Sequence, residues 1–270
     1  MTELGRRVRS AVPLAAGLLA VLFLAPPPLT SLLAAVVLVI GAWEWAAFLG
    51  WQLPRLRAAY AALIALLLLA AGLLVPAWLP LDPVLYAALG WWGVAFGWIL
   101  RYPTRVPVLF AALAGVLVLV PAWLAIGAIL AVPGRGPALL VLALAIIFAA
   151  DVGAYFAGRR FGRVRLAPQV SPGKTWEGLF GGLVLATATA IAGGLLLGLP
   201  PAITGPVGLG VGAVSVVGDL TESLFKRSIG AKDSGNLIPG HGGVLDRLDS
   251  ITAALPLFAL ALSRLGLTGG

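Results

Sequence analysis

The stretch "ALLVLALAIIFAADVGAYFAGRR" (138–160) decides the fold. Its first thirteen residues are all apolar, with no polar face recurring at the 3.6-residue period of a soluble helix. One carboxylate, Asp151, interrupts the run near its end, and Arg159 and Arg160 close it. A bilayer core about 30 Å thick needs roughly 20 such residues in helical form. The segment therefore reads as a membrane span, 137–158, ending in positive charge.

Runs of this kind fill the rest of the chain. Of 270 residues, 61% are hydrophobic and 10% charged, and the mean hydropathy is +1.06, far from a soluble domain. Breaks at Pro, Gly and charged clusters divide the chain into about nine spans: 11–26, 29–50, 58–75, 83–100, 106–131, 137–158, 176–199, 203–226 and 249–267. The fold class is thus all-α, a polytopic integral membrane protein. Residues 1–150 read as a scaffold of membrane helices, and 151–270 as the half that carries the polar motifs. The first run, behind Arg6, Arg7 and Arg9, superficially resembles a secretory signal but lacks a convincing cleavage segment and is expected to stay as a helix.

Nine spans predict alternating loop charge. With the N-terminus on the cytoplasmic side, sixteen Lys and Arg residues fall on the inner side and only Arg135 and Arg264 on the outer. This orients the chain as a multi-pass protein of the inner (cell) membrane. The formal charge of +8 lies in these short loops and forms no basic stripe interleaved with aromatics, so nucleic acid is not an expected partner. With no cysteine, disulfides and thiolate metal sites are excluded. No internal repeat is clear enough to argue an inverted-repeat transporter.

Seven of the ten acidic residues lie between Asp151 and Asp249, each near an expected inner helix end or an inner loop. At about 100° per residue, Asp219, Glu222, Ser223 and Lys226 share one helical stripe. Asp219 ends an apolar run, where a lone carboxylate costs roughly 2.5–3.5 kcal/mol on insertion scales. A cation is its simplest compensation. Asp246 and Asp249, three apart, point the same way if a helix starts near Leu245, although acids at a helix start also serve as plain dipole partners. Several hard oxygen donors, no thiol and a single histidine suit Mg²⁺ or Mn²⁺ better than structural zinc. His241 is better suited to capping a loop or binding phosphate than to ligating metal. Glu44, among Trp43, Trp45 and Trp51, reads as part of an interfacial aromatic belt and receives no role.

"SPGKTWEG" (171–178) invites comparison with a P-loop, but the first glycine that motif requires is Pro168 here and no strand is expected before it. Local physics suggests a helix start, with Ser171 as N-cap, Pro172 at the first position, and an anion site beside Lys174 and Thr175.

"SLFKRSIGAKDSGNLIPGHGGVLDRLD" (223–249) resembles the signature of phosphatidate cytidylyltransferases, also called CDP-diacylglycerol synthases. The matching positions are Ser223, Lys226, Arg227, Lys232, Asp233, Gly235, Pro239, His241, Gly242, Gly243, Asp246, Arg247 and Asp249. "DVGAYFAGRRFGRVRLAPQVSPGKTWEG" (151–178) is similar to a second block of that family, so the resemblance covers the C-terminal 120 residues. It implies Mg²⁺-dependent joining of phosphatidic acid to CTP, with release of pyrophosphate, a second metal ion being compatible with the site. It further implies metal ligation by Asp219, Asp246 and Asp249, with Lys226 and Arg247 beside them in catalysis. Ser171, Lys174, Thr175, Glu177, Ser223, Arg227, Lys232, Asp233, Asn236 and His241 would contact substrate. Membrane lipids are implied partners, and the sequence leaves homo-oligomers open.

Two rival classes remain at this level. A lipid or ion transporter would use Asp151 and Asp219 as an intramembrane relay, but needs acids accessible from both sides, and the outer side carries only Asp82. The CDP-alcohol phosphotransferases carry an Asp-Gly pair followed two residues later by Ala-Arg, which does not occur here.

Overall fold

The computed structural model describes residues 16–77, 79–104, 106–235, 237 and 242–267. Residues 16–24 are helical. Eight helices follow: α1 (Pro27–Trp45), α2 (Pro54–Ala77), α3 (Leu81–Arg101), α4 (Val108–Leu130), α5 (Gly136–Phe161), α6 (Trp176–Leu196), α7 (Pro201–Ser228) and α8 (Asp249–Arg264). A two-stranded antiparallel hairpin, β1 (Arg165–Ala167) and β2 (Ser171–Thr175), lies between α5 and α6, and a 3₁₀ turn (Leu245–Arg247) precedes α8. Helices α1, α3, α4 and α7 each begin behind an extended proline, Pro26, Pro80, Pro107 and Pro200. Proline has no N–H to leave unsatisfied, and its fixed φ sets the direction from which the helix departs.

Seven of these helices, α1 to α7, are long and apolar enough to cross a membrane. The protein is an all-α polytopic membrane protein. The expected ninth span, 249–267, is a helix of 16 residues, about 24 Å at 1.5 Å per residue, and shorter than the hydrocarbon core. The expected first span begins outside the described residues. The expected helix start at Ser171 is corrected: Ser171 is in β2, opposite Ala167, and the helix begins five residues later. Gly173 and Pro172 suit a short two-stranded edge, and Thr175 takes over as N-cap, its hydroxyl accepting from Gly178 N at 3.1 Å.

Packing between α5, α6, α7 and α8 relies on small residues, as expected where lipid offers no hydrophobic drive for helices to associate. A Cβ on Gly153 of α5 would lie 2.6 Å from the Gly181 carbonyl of α6, and one on Gly212 of α7 would lie 3.0 Å from Ala186 Cβ. Gly218 of α7 is pressed against the Asp249 carbonyl and Ala253 of α8. Around α1 the packing is aromatic: Trp45 and Phe48 lie 5.0 and 5.8 Å from Phe225 of α7, between ring centroids. Trp45 Nε1 donates to the Ala111 carbonyl of α4 at 2.8 Å. These contacts hold the C-terminal end of α1 beside that of α7.

The bundle has two chemically distinct ends. At one, Arg264 pairs with Asp82 at 3.3 Å, Ser263 donates to Asp82 at 2.7 Å, and Arg135 reaches the Leu197 carbonyl at 3.3 Å. The other end gathers the hairpin, the end of α7 and the start of α8, with nearly all the remaining charge.

Candidate active site

Two groups of polar side chains occupy that end. The first lines an open cavity of about 620 Å³ between α5, the hairpin, α6 and α7. Lys174, the fourth residue of β2, extends to Asp219 of α7, with Nζ 2.6 Å from Oδ2. Asp151 of α5 lines the same cavity, and so do Arg159 and Arg165. Ser223, one turn beyond Asp219, donates to its Oδ1 at 3.4 Å. The cation that Asp219 was expected to need is therefore Lys174. The helix–strand–helix path puts it there, because β2 runs back over the end of α5 and delivers Lys174 just before α6 begins.

The second group is more enclosed. Lys226 Nζ bridges Glu222 Oε1 at 3.1 Å, one turn back on α7, and Asp246 Oδ1 at 2.8 Å, from the 3₁₀ turn. Both Lys226 and Asp246 side chains are 11% exposed. Asp246 also accepts from Ser234 N at both oxygens (3.2 and 3.1 Å) and from Gly243 N at 2.8 Å. Burial opposes ionisation of Asp246. The hydrogen bond from Lys226, the Gly243 N–H and the ammonium charge outweigh it and hold the carboxyl below the usual aspartate range. Glycine is required at 242, where φ is +82° and a Cβ would lie 2.8 Å from Asp246 Oδ2.

Asp249, the first residue of α8, stands between the groups and senses the charges of Asp219, Lys226 and Lys174. The stripe read on α7 is thus real but divided: Asp219 lines the cavity with Ser223 bonded to it, while Glu222 and Lys226 belong to the enclosed network.

The other expected site residues separate by role. Thr175 is buried as the α6 cap. Glu177 accepts from Val164 N at 3.3 Å and ties the start of the hairpin to α6. Arg227 reaches the carbonyls of Val170 (3.5 Å) and Ala231 (3.4 Å), bracing the hairpin against the segment after α7. Lys232, Asp233 and Arg247 are exposed on either side of the glycine-rich loop. Ser171 is in the strand but does not line the cavity. Asn236 and His241 lie outside the described residues.

One residue given no role proves central. Glu44 is 2% exposed and accepts from Ser234 Oγ (3.2 Å), Val244 N (3.1 Å) and Leu245 N (2.8 Å). The insertion cost that drew attention to Asp219 applied equally to Glu44, but its tryptophan neighbours hid that signal.

Among the described residues, no three carboxylates or histidines converge as a ready metal cage. Asp246 is fully engaged by donors. Asp219 and Asp151 are the carboxylates that line the cavity, Asp249 is near enough to feel the charge of Asp219, and Glu222 Oε2 is buried with no hydrogen-bond partner among the described residues. This oxygen-only set fits a hard cation of the Mg²⁺ type, which commonly takes one or two protein carboxylates and completes its shell with water and phosphate.

A sequence model of the Cytidylyltransferase family matches residues 5–265. The chain is 45% identical to a phosphatidate cytidylyltransferase of Pseudomonas aeruginosa, over 86% of this chain and 87% of that protein. It is 39% identical to a phosphatidate cytidylyltransferase of Haemophilus influenzae, over 95% and 97% respectively. With a match spanning nearly its whole length, and a cationic cavity at one end of its membrane helices, the chain belongs to the Cytidylyltransferase family and is a nucleotidyltransferase.

Proposed function

We propose that this protein transfers the cytidylyl group of CTP to phosphatidic acid, forming CDP-diacylglycerol and pyrophosphate, at the cytoplasmic face of the inner membrane. The observation that carries the reading is the cavity holding Lys174, Asp219 and Asp151 with Arg159 and Arg165, located where membrane-spanning helices end. A lipid phosphate anchored in a leaflet and a polyanionic nucleotide from water can meet only at such a boundary.

The reaction needs no strong general base, because a phosphate oxygen of the lipid is already ionised at neutral pH. That oxygen attacks the α-phosphorus of CTP, a new P–O bond forms, and the bond to the β-phosphate breaks with its electron pair leaving on pyrophosphate. Catalysis then rests on alignment and on neutralising charge. Lys174, Arg159 and Arg165 draw the triphosphate into the cavity. Lys226 is held by Asp246 and Glu222 as a fixed positive charge beside it. Asp219 and Asp249 would hold Mg²⁺, which when bound supplies charge neutralisation at the phosphate oxygens.

The test is turnover by purified protein in lipid–detergent micelles. Pyrophosphate release should require both CTP and phosphatidic acid, and other nucleoside triphosphates should compete poorly. Release without lipid, or none with both substrates present, would refute the reading.

A further inference from the structure

We propose that Glu44 is a positioning residue which acts from α1 on the loop carrying Asp246, an inference that rests on reading this end of the bundle as the site of nucleotidyl transfer. Glu44 lies in the N-terminal half of the chain, but its three hydrogen-bond donors among the described residues are Ser234, Val244 and Leu245. A buried carboxylate is costly unless its oxygens are satisfied, and here both are. Oε1 accepts from Val244 N, while Oε2 accepts from Leu245 N and Ser234 Oγ.

The surroundings are shaped to the carboxylate. A Cβ on Gly235 would overlap Glu44 Oε1, and one on Gly243 would lie 2.6 Å from Oε2 and collide with Ser234 Oγ. Glycine at both positions lets the backbone close around the acid. The Val244 and Leu245 N–H groups open the 3₁₀ turn, which has no side-chain cap of its own. Glu44 therefore satisfies from another helix the donors that a local cap would otherwise serve.

Two carboxylates share the same short segment. Ser234 gives its hydroxyl to Glu44 and its N–H to Asp246, while Gly243 N serves Asp246 and the next two N–H groups serve Glu44. Asp246 in turn holds Lys226. A displacement of the loop at Glu44 is thus passed through Ser234 and Leu245 to Asp246 and to the ammonium it orients. Glu44 touches no reacting group, so its effect is on alignment.

Glu44→Gln keeps the size but replaces one acceptor oxygen with an NH₂ that must face a backbone N–H. The experiment uses the full chain in micelles and compares wild type, Glu44→Gln, Ser234→Ala and the double variant. We expect Glu44→Gln to lose about tenfold or more in kcat with KM for CTP within about threefold, as a misaligned transition state requires. Its Val244 and Leu245 amides should exchange with deuterium about tenfold faster, with exchange in the middle of α4 unchanged. Ser234→Ala should show a smaller effect of the same kind, and the double variant little more than Glu44→Gln alone, because the two share a bond.

Wild-type kcat in Glu44→Gln would overturn the proposal, whether or not stability or amide exchange changed. If Glu44→Gln did not fold, Ser234→Ala would decide on the same criteria. Absence of CTP turnover in wild type would sink the functional reading instead, and unchanged exchange at 244 and 245 in Glu44→Gln would then separately overturn the anchoring role.

Discussion

Lys174 Nζ lies 2.6 Å from Asp219 Oδ2, across the mouth of the cavity between the hairpin and α7. The two side chains are 26% and 31% exposed, so water screens the pair and its contribution to stability is at most about 1 kcal/mol. On the proposed reading of this cavity as the substrate site, a contact that adds so little to the fold serves to hold charge for use in the reaction.

This leads to opposite kinetic signatures for the two partners. Lys174→Ala should raise KM for CTP by about tenfold, because it removes a phosphate-binding charge. Asp219→Asn should instead lower kcat by about 10²-fold or more and weaken the response to Mg²⁺. Both should unfold within a few degrees of wild type. Steady-state kinetics with CTP and Mg²⁺ varied separately, together with thermal melts, measure all of this.

Asp246 should behave differently from Asp219, although sequence reasoning placed them together. It forms a shielded pair with Lys226 and receives two backbone N–H groups, so Asp246→Asn should cost about 3 kcal/mol of stability as well as activity. The pH dependence follows from its depressed carboxyl. A folded pKa below the unfolded value gives stability that is fully present above about pH 4 and is lost as pH falls through the folded pKa. Asp246→Asn should therefore flatten the acid limb of a stability–pH curve below about pH 4 and leave the neutral limb parallel to wild type.

The membrane helices were readable because a span is a local property: twenty apolar residues between charged or proline-rich breaks declare themselves without reference to the rest of the chain. The stripe on α7 was readable for the same reason, since i,i+4 neighbours such as Glu222 and Lys226 meet on any helix. The hairpin was missed because three- and five-residue strands leave almost no periodic signal, and Ser171-Pro172 imitates a helix start. The pairing of Lys174 with Asp219, and of Glu44 with Ser234, joins distant parts of the chain. The sequence marked Asp219 as a charge needing compensation and passed over Glu44, and only the packing of α1, α7 and the hairpin names either partner.

The glycine contact between α5 and α6 should matter to function as well as to stability. A methyl at Gly153 must displace the Gly181 backbone, not a flexible side chain, so Gly153→Ala should cost about 1–3 kcal/mol. Asp151 is two residues away and the hairpin carrying Lys174 is mounted between the same helices. Activity should therefore fall further than the loss of folded protein accounts for. Melting temperature and specific activity measured on one preparation separate the two effects.

Orientation in the membrane supplies the last prediction, and the absence of native cysteine makes it clean to test. The loop between α4 and α5 shares its end of the bundle with the Arg264–Asp82 pair, while the turn between β1 and β2 lies at the end that carries the cavity. Pro133 and Gln169 are exposed in these two places and belong to neither polar network. The orientation proposed above, which the sixteen-to-two partition of Lys and Arg supports, would put the cavity end in the cytoplasm. A membrane-impermeant maleimide applied to intact spheroplasts should therefore label Pro133→Cys and spare Gln169→Cys until the membrane is opened. Labelling of both from outside would mean that the chain does not sit as a single oriented bundle. The reverse pattern would place the cavity away from the cytosolic nucleotide pool, and no arrangement of Lys174 and Asp219 could then rescue a CTP-dependent reaction at that site.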